Sequence, residues 1–141
     1  MSEEILEAIR NNVEKESFTN LLGIKLIKID EGYSLVEMKY RDDMHNLFKT
    51  LHGGATFSLI DEAFQIACNS YGTIAVALNV TITYHSAPTV GAILRAEAKE
   101  VHKSSRTGTY FIQVKTDQDE LIASCQAVAY RKKDPLPFLT T

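Results

Sequence analysis

Residues 52–61 read His52-Gly53-Gly54-Ala55-Thr56-Phe57-Ser58-Leu59-Ile60-Asp61, and this stretch decides the fold. The two glycines supply a tight turn, and apolar residues then recur at helical spacing as far as position 71. Gly72 provides a good C-terminal stop. A helix that is apolar on most of its faces is normally buried. The stretch therefore predicts a long central helix that the rest of the chain wraps.

One stripe of this predicted helix is polar. Its members recur at helical spacing and are Ser58, Asp61, Glu62, Gln65 and Asn69. Asp61 is the most informative, because a carboxylate within an apolar helix must face solvent, a partner or a pocket. The spacing alone leaves open the alternative that the whole stripe is simply a solvated face.

Strand patterns surround the central helix in the sequence. Two precede it, at residues 24–30 and 33–40, and four follow it, of which residues 76–84 alternate most cleanly. Short turns between successive strands favour antiparallel pairing. The apolar spacing in residues 3–16 predicts a helix that packs against the rest of the fold. We expect an α+β fold in which a curved antiparallel sheet of about six strands wraps one long helix, with residues 1–141 forming a single domain.

Composition excludes several classes of protein. The net charge of −3 argues against nucleic acid as a partner, because phosphate binding needs a basic surface. No apolar run approaches the roughly 20 residues that a membrane-spanning helix needs. The acidic N-terminus does not resemble a signal peptide, and Cys68 and Cys125 are interpreted as small core residues, so we expect a cytoplasmic protein. The histidines lack metal-ligand spacing, and we expect no metal.

The start of the central helix has its own chemistry. Free N–H groups there, with the positive end of the helix dipole behind them, can stabilise an oxyanion. Gly53 and Asp61 are eight residues apart, which is about 12 Å along a helix axis. One small carbonyl group cannot touch both residues of the same helix. If both act on one substrate, they come from two subunits, and the protein is at least a homodimer.

Asn46, the His52-Gly53-Gly54 run and residues 57–63 together resemble the hotdog-fold acyl-CoA thioesterases of the phenylacetic-acid-degradation type. The likeness covers roughly residues 18–131 and includes residues 80–84. This resemblance implies a hotdog fold and hydrolysis of an aryl-acyl or medium-chain acyl-CoA to the free acid and coenzyme A. It also implies an active site between two subunits of a homodimer or homotetramer.

The resemblance also implies roles for individual residues. The backbone N–H of Gly53 would polarise the thioester carbonyl. Asp61 from the neighbouring chain would attack as nucleophile or activate a water as general base. Asn46 and His52 would orient the thioester and the loop. These four residues are the expected catalytic group.

A second group is expected to bind substrate. The family often has a small hydroxyl residue after the helix that helps to hold the water, and here the strand offers Asn79 with Thr81 two positions on. Lys103 and Arg106 flank a connection and could hold the phosphates of coenzyme A, although ordinary solvated charge is the alternative. The expected substrate-binding residues are Gly54, Asn79, Thr81, Lys103 and Arg106. Coenzyme A is part of the substrate, so no separate cofactor is expected.

Two other functions stay open on the sequence. A hotdog acyl-CoA hydratase or dehydratase would pair the helix carboxylate with a nearby histidine, which His52 could supply. A non-catalytic acyl-CoA-binding oligomer would have no need of Asp61. The identity of the acyl group and the choice between dimer and tetramer are not determined by the sequence.

Overall fold

The computed structural model describes residues 2–139. The helices are α1 (Ser2–Val13), α2 (Ser17–Leu22) and α3 (Gly53–Asn69), with a 3₁₀ turn at Asp42–Met44. The strands are β1 (Lys25–Asp30), β2 (Tyr33–Lys39), β3 (Thr73–Tyr84), β4 (Ile93–Lys103), β5 (Thr107–Thr116) and β6 (Leu121–Pro135).

The six strands form one sheet in the order β1-β2-β4-β5-β6-β3, and every neighbouring pair is antiparallel. The sheet curves around α3, whose Leu59, Ile60 and Ala63 are fully buried. Alanines at 96 and 127 on the facing strands are also fully buried, and their small side chains let the strands approach the helix closely. The predicted α+β architecture of six antiparallel strands around one long helix is confirmed.

Strand β3 lies at one edge of the sheet and, within residues 2–139, pairs with β6 alone. Apolar side chains on it remain open to solvent, and Leu78 is 60% exposed. The register shifts between Ala77 and Asn79, so the clean alternation predicted for residues 76–84 is interrupted by a bulge. A long, apolar edge strand of this kind offers unpaired backbone groups to another chain.

Two local predictions need correction. The helix expected over residues 3–16 ends at Val13, because Glu16 adopts an extended conformation (φ −71°, ψ 121°) and precedes α2. Glu62 does not share the accessible stripe of α3, since its side chain is buried against Glu16 and Gln65. From Ser2 to Leu139, no helix combines the length and the apolar character needed to cross a membrane.

Candidate active site

The sequence His52-Gly53-Gly54 starts α3 with a side-chain cap. His52 is the N-cap residue in an extended conformation, and its Nδ1 accepts a hydrogen bond of 2.8 Å from the N–H of Gly54. A Cβ atom at position 54 would lie 3.0 Å from this Nδ1, so glycine makes room for the cap. The cap uses the N–H of Gly54, which therefore does not point freely at a ligand.

Gly53 differs from its neighbour. Its N–H makes no hydrogen bond within residues 2–139, and its φ lies outside the left-handed region. A Cβ atom there would meet the Tyr84 ring at 3.5 Å, an ordinary van der Waals contact. Neither backbone conformation nor packing within the chain requires glycine at this position. The N–H of Gly53 is thus an available donor at the positive end of a 17-residue helix.

A cleft of about 330 Å³ opens at this helix end. Asn46, Gly53 and Tyr84 line it, together with the chain from His85 to Pro88. The Tyr84 hydroxyl donates to the carbonyl oxygen of Gly53 at 3.3 Å and so joins the end of β3 to the start of α3. The cleft is therefore held by contacts between segments about 30 residues apart in sequence.

Asn46 organises the loop before the helix. Its Oδ1 accepts hydrogen bonds from the N–H groups of Phe48 and Thr50 at 2.9 and 3.0 Å, and its Nδ2 donates to the Thr50 hydroxyl at 2.9 Å. Both ends of the amide are thus engaged in closing this turn. Asn46 and Gly53 line the same cleft, and the Asn46 side chain shapes the loop in this structure.

Asp61 is half-buried on α3, and its carboxylate makes no hydrogen bond to the part of the chain that the structure describes. Burial raises its pKa, and the negative charge of Glu16 raises it further. A raised pKa makes a carboxylate a stronger base near neutral pH. Asp61 therefore combines accessibility with the property that general-base chemistry needs.

Glu16 and Glu62 form a coupled carboxyl pair next to Asp61. Burial raises the pKa of Glu62 to about 9, and its hydrogen bond with Glu16 and the charge of Glu16 add to the effect. Burial also opposes ionisation of Glu16, but hydrogen bonds from Glu62, Gln65 and Thr19 outweigh it and leave its pKa lowered. Near neutral pH the pair therefore shares one proton.

The remaining expected substrate-binding residues lie elsewhere. Asn79 and Thr81 are exposed on the edge strand β3, and the Thr81 hydroxyl donates to Asn79 Oδ1 at 2.9 Å. Lys103 and Arg106 are exposed at the connection between β4 and β5. The Lys103 Nζ lies 3.7 Å from the ring centre of Tyr71, just beyond the C-terminal end of α3. They are therefore about 25 Å from Gly53 along the helix.

The structure brings Asn46, His52 and Gly53 together at one helix end and keeps Asp61 two turns away. Sequence reasoning missed Tyr84 at the cleft and the pair Glu16 and Glu62 beside Asp61. The sequence carries no periodic signal for contacts between such distant positions. From sequence, Glu62 was placed only on the polar stripe of the central helix, as a neighbour of Asp61.

The described residues give little support to metal-dependent chemistry or to a cysteine nucleophile. Between residues 2 and 139, no group of three or more His, Cys, Asp or Glu side chains is arranged to hold a metal ion. Cys68 and Cys125 are free and buried, as expected of core residues. Burial raises the pKa of Cys68 to about 12 and that of Cys125 to about 11, which keeps both thiols protonated and poor nucleophiles.

Comparison with known proteins agrees with this geometry. The family model of the thioesterase superfamily matches residues 48–123. The acyl-coenzyme A thioesterase PaaI of Escherichia coli is 36% identical over 84% of this chain and 84% of its own length. Human acyl-coenzyme A thioesterase 13 is 32% identical over 64% of this chain and 67% of its own length.

Comparison with solved structures leads to the same family of proteins. The solved structure of the Escherichia coli PaaI protein, from the phenylacetic acid degradation operon, matches with a TM-score of 0.90 and 33% identity. The match covers 95% of this chain and 97% of that chain. The fold is the hotdog fold that the sequence resemblance implied. The chain belongs to the thioesterase superfamily.

Proposed function

We propose that this protein is an acyl-CoA thioesterase that hydrolyses an aryl-acyl or medium-chain acyl-CoA to a carboxylic acid and coenzyme A. The observation that carries the proposal is the N–H of Gly53 at the start of α3, which has no hydrogen-bond partner among residues 2–139. The Asp61 carboxylate likewise has none within that range. The relatives named as acyl-coenzyme A thioesterases support the same substrate class.

The proposed reaction uses these two groups in turn. The thioester oxygen accepts a hydrogen bond from the Gly53 N–H, which stabilises the negative charge that develops as water adds to the carbonyl carbon. Asp61 removes a proton from the attacking water. The tetrahedral intermediate then collapses, the carbon–sulfur bond breaks, and the thiolate of coenzyme A takes up a proton. Direct attack by the Asp61 carboxylate, followed by hydrolysis of an anhydride, is the alternative route.

A site between two subunits follows from the separation of the two groups. Gly53 and Asp61 of one chain are about 12 Å apart along α3. The open edge of β3 offers a way to pair two copies, since its outer side pairs with no strand of the described chain and its side chains include exposed Val76 and Leu78. Two antiparallel β3 strands would bring the Tyr84 end of one chain, and with it Gly53, towards α3 of the other chain.

The same pairing gives Lys103 and Arg106 a role. They lie at the C-terminal end of their own α3, far from their own Gly53. In an antiparallel pair, the Lys103 of the partner subunit approaches the helix start of the first chain, where its charge can bind a phosphate of coenzyme A. Asn79 and Thr81 would then lie at the subunit boundary, where one of them can hold the attacking water. A homodimer or a homotetramer built from such dimers satisfies these requirements.

His52 and Asn46 fit a positioning role. His52 holds the first turn of α3 through its cap, and Asn46 fixes the preceding loop, so both set where the Gly53 N–H points. The hydratase alternative requires a histidine that is free to act beside the carboxylate. The Nδ1 atom of His52 is engaged in the cap instead. The expected cytoplasmic location stays a prediction.

A thiol-release assay tests the proposal. The unmodified protein is incubated with a panel of acyl-CoA esters that differ in length and aromaticity, and free thiol is measured together with the released acid. We expect turnover of some ester and its loss in Asp61→Asn. Hydration of an enoyl-CoA without thiol release would support the hydratase instead, and tight binding with no reaction across the panel would support the binding module.

A further inference from the structure

A second cavity lies beside the C-terminal half of α3, apart from the cleft at Gly53. Its volume of about 500 Å³ falls within the range of small-molecule sites. Four segments build its walls: α1, α3, the start of β3 and the chain after β6. The apolar side chains that line it include Ile9, Val13, Ile66, Ile74, Leu136 and Phe138. The N-terminal helix and the C-terminal tail thus converge on one apolar space.

The few polar groups at the rim already have partners. Asn12 donates to the Ala8 carbonyl at 2.8 Å, and Gln65 donates to Glu16 Oε2 at 2.9 Å. The Asn69 amide donates to the carbonyls of Gln65 and Ala75 at 2.8 and 3.1 Å. Polar groups on a ligand in this cavity would therefore find few hydrogen-bond partners. The apolar lining favours apolar ligand surface instead.

The cavity begins about one helical turn beyond Asp61. Gln65 and Asn69 line it, and they follow Asp61 on the same stripe of α3 at about 6 and about 12 Å along the axis. Glu16 also lines the cavity, and it is close enough to Asp61 for its charge to act on that carboxylate. A group attached to a carbonyl carbon at Asp61 can therefore reach the cavity within one to two helical turns.

We infer that this cavity receives the acyl group of the substrate, and that it selects uncharged apolar acyl groups of medium length. The inference rests on the proposed function and adds the part of the chain that sets specificity. A carboxylate at the far end of the acyl group is disfavoured for two reasons. The walls are mostly apolar, and Glu16, the acid among the lining residues, would repel a second carboxylate.

The experiment compares kcat/KM for acetyl-, butyryl-, hexanoyl- and octanoyl-CoA on the full chain. Ile74→Phe fills the cavity, and Phe138→Ala enlarges it. We expect Ile74→Phe to lower the octanoyl-to-acetyl ratio about tenfold or more, and Phe138→Ala to shift the preference to longer chains. Leu26→Phe is the matched control, since Leu26 lines a different cleft between α1 and β1. Its ratio should equal that of the unmodified protein.

A second comparison tests the charge argument without any mutation. Valeryl-CoA and glutaryl-CoA have acyl chains of equal length, and only the second ends in a carboxylate. We expect a preference for valeryl-CoA of about tenfold or more. Equal turnover of these two esters overturns the charge selection.

Unchanged chain-length ratios in both cavity variants, with turnover intact, overturn the acyl site. Should Ile74→Phe not fold, Phe138→Ala alone decides the outcome. If the unmodified protein releases thiol from no ester, the proposed function fails, and the acyl site fails with it. The cavity variants are interpreted only when acetyl-CoA or butyryl-CoA is turned over, so the two kinds of failure remain distinct.

Discussion

The Nδ1 atom of His52 accepts a hydrogen bond from the N–H of Gly54 at 2.8 Å, and because of this bond the two adjacent glycines have different roles. Gly54 is glycine because a side chain would press on the capping imidazole. Gly53 has no such constraint, and its N–H remains without a partner in the described chain. The second glycine maintains the helix start, and the first presents a donor for the proposed oxyanion.

Gly53→Pro removes this donor with little cost to the fold. Position 53 is the first helical residue, where proline is well tolerated, and His52 already has the extended conformation that precedes proline (φ −63°, ψ 132°). We expect an unchanged melting temperature and a fall in kcat of about 10² to 10³, the usual loss when one oxyanion donor is removed. Thiol release and thermal unfolding measure the two effects.

Gly53→Ala is the matched control, because it adds one carbon at 3.5 Å from the Tyr84 ring but keeps the N–H. Its activity should lie well above that of the proline variant. Equal losses in the two variants would mean that crowding, and not the missing donor, causes the defect.

Gly54→Ala should act on stability. The new Cβ would lie 3.0 Å from His52 Nδ1 and force the cap apart. Loss of a side-chain cap typically costs about 0.5–2 kcal/mol. Urea unfolding of this variant and of His52→Ala should give similar losses, and the double variant should lose little more than either alone. Full additivity of the two losses would argue against the cap as their common cause.

Asp61→Asn tests the base. The substitution removes a half-buried charge that Glu16 already disfavours, so we expect stability to be unchanged or slightly higher. The rate of thiol release should fall about 10²-fold or more, because general-base catalysis is lost. Ser58→Ala, on the same stripe of α3, serves as the control and should keep its activity. A stable Asp61→Asn variant with normal turnover would remove Asp61 from the mechanism.

The pKa of Glu62 predicts how stability depends on pH. Burial raises this pKa from 4.5 to about 9, so over that window the folded protein holds a proton that the unfolded chain releases. The stabilising contribution is therefore complete below about pH 4.5 and is lost as pH rises towards 9. Glu62→Gln carries the neutral form at every pH. We expect its free energy of unfolding to fall less than that of the unmodified protein between about pH 6 and about pH 8.5.

Chemical denaturation at several pH values measures this difference. Asp61 contributes in the same direction, because its pKa is also raised. Identical slopes for the two proteins would show that Glu62 titrates normally in the folded state.

The open edge of β3 predicts how the copies associate. Leu78→Lys puts a charge on a side chain that is 60% exposed in the single chain, so the fold should survive. At an interface between two β3 strands the same charge would be desolvated, and we expect dissociation into monomers. Because a monomer lacks the second half of each site, activity should disappear together with the dimer. Analytical ultracentrifugation and thiol release check both results on one sample.

Much of this architecture could be predicted from sequence. The apolar period after Gly54 located α3, and alternation located the strands, because helical and strand periodicity depend on local side-chain burial. The edge position of β3 was not predictable, since strand order depends on contacts across the whole sheet. The bulge between Ala77 and Asn79 was also missed, because one inserted residue changes the register without changing composition.

The candidate site was likewise predictable from sequence only in part. The proximity of Asn46, His52 and Gly53 follows from their closeness in sequence. The pairing of Glu16 with Glu62 does not, because the two acids lie 46 positions apart and no local pattern links them. The capping role of His52 and the turn formed by Asn46 also required geometry. A residue type that suits catalysis is equally suited to closing a loop.

A mixed-subunit experiment tests the shared site most directly. Gly53→Pro and Asp61→Asn chains carrying different tags are produced together, and the mixed dimer is isolated. One of its two sites then combines an intact Gly53 with an intact Asp61 from the other chain. Although each variant alone is inactive, the mixed dimer should regain about half the activity of the unmodified protein. A pure mixed dimer as inactive as its parents would contradict a site built from two subunits.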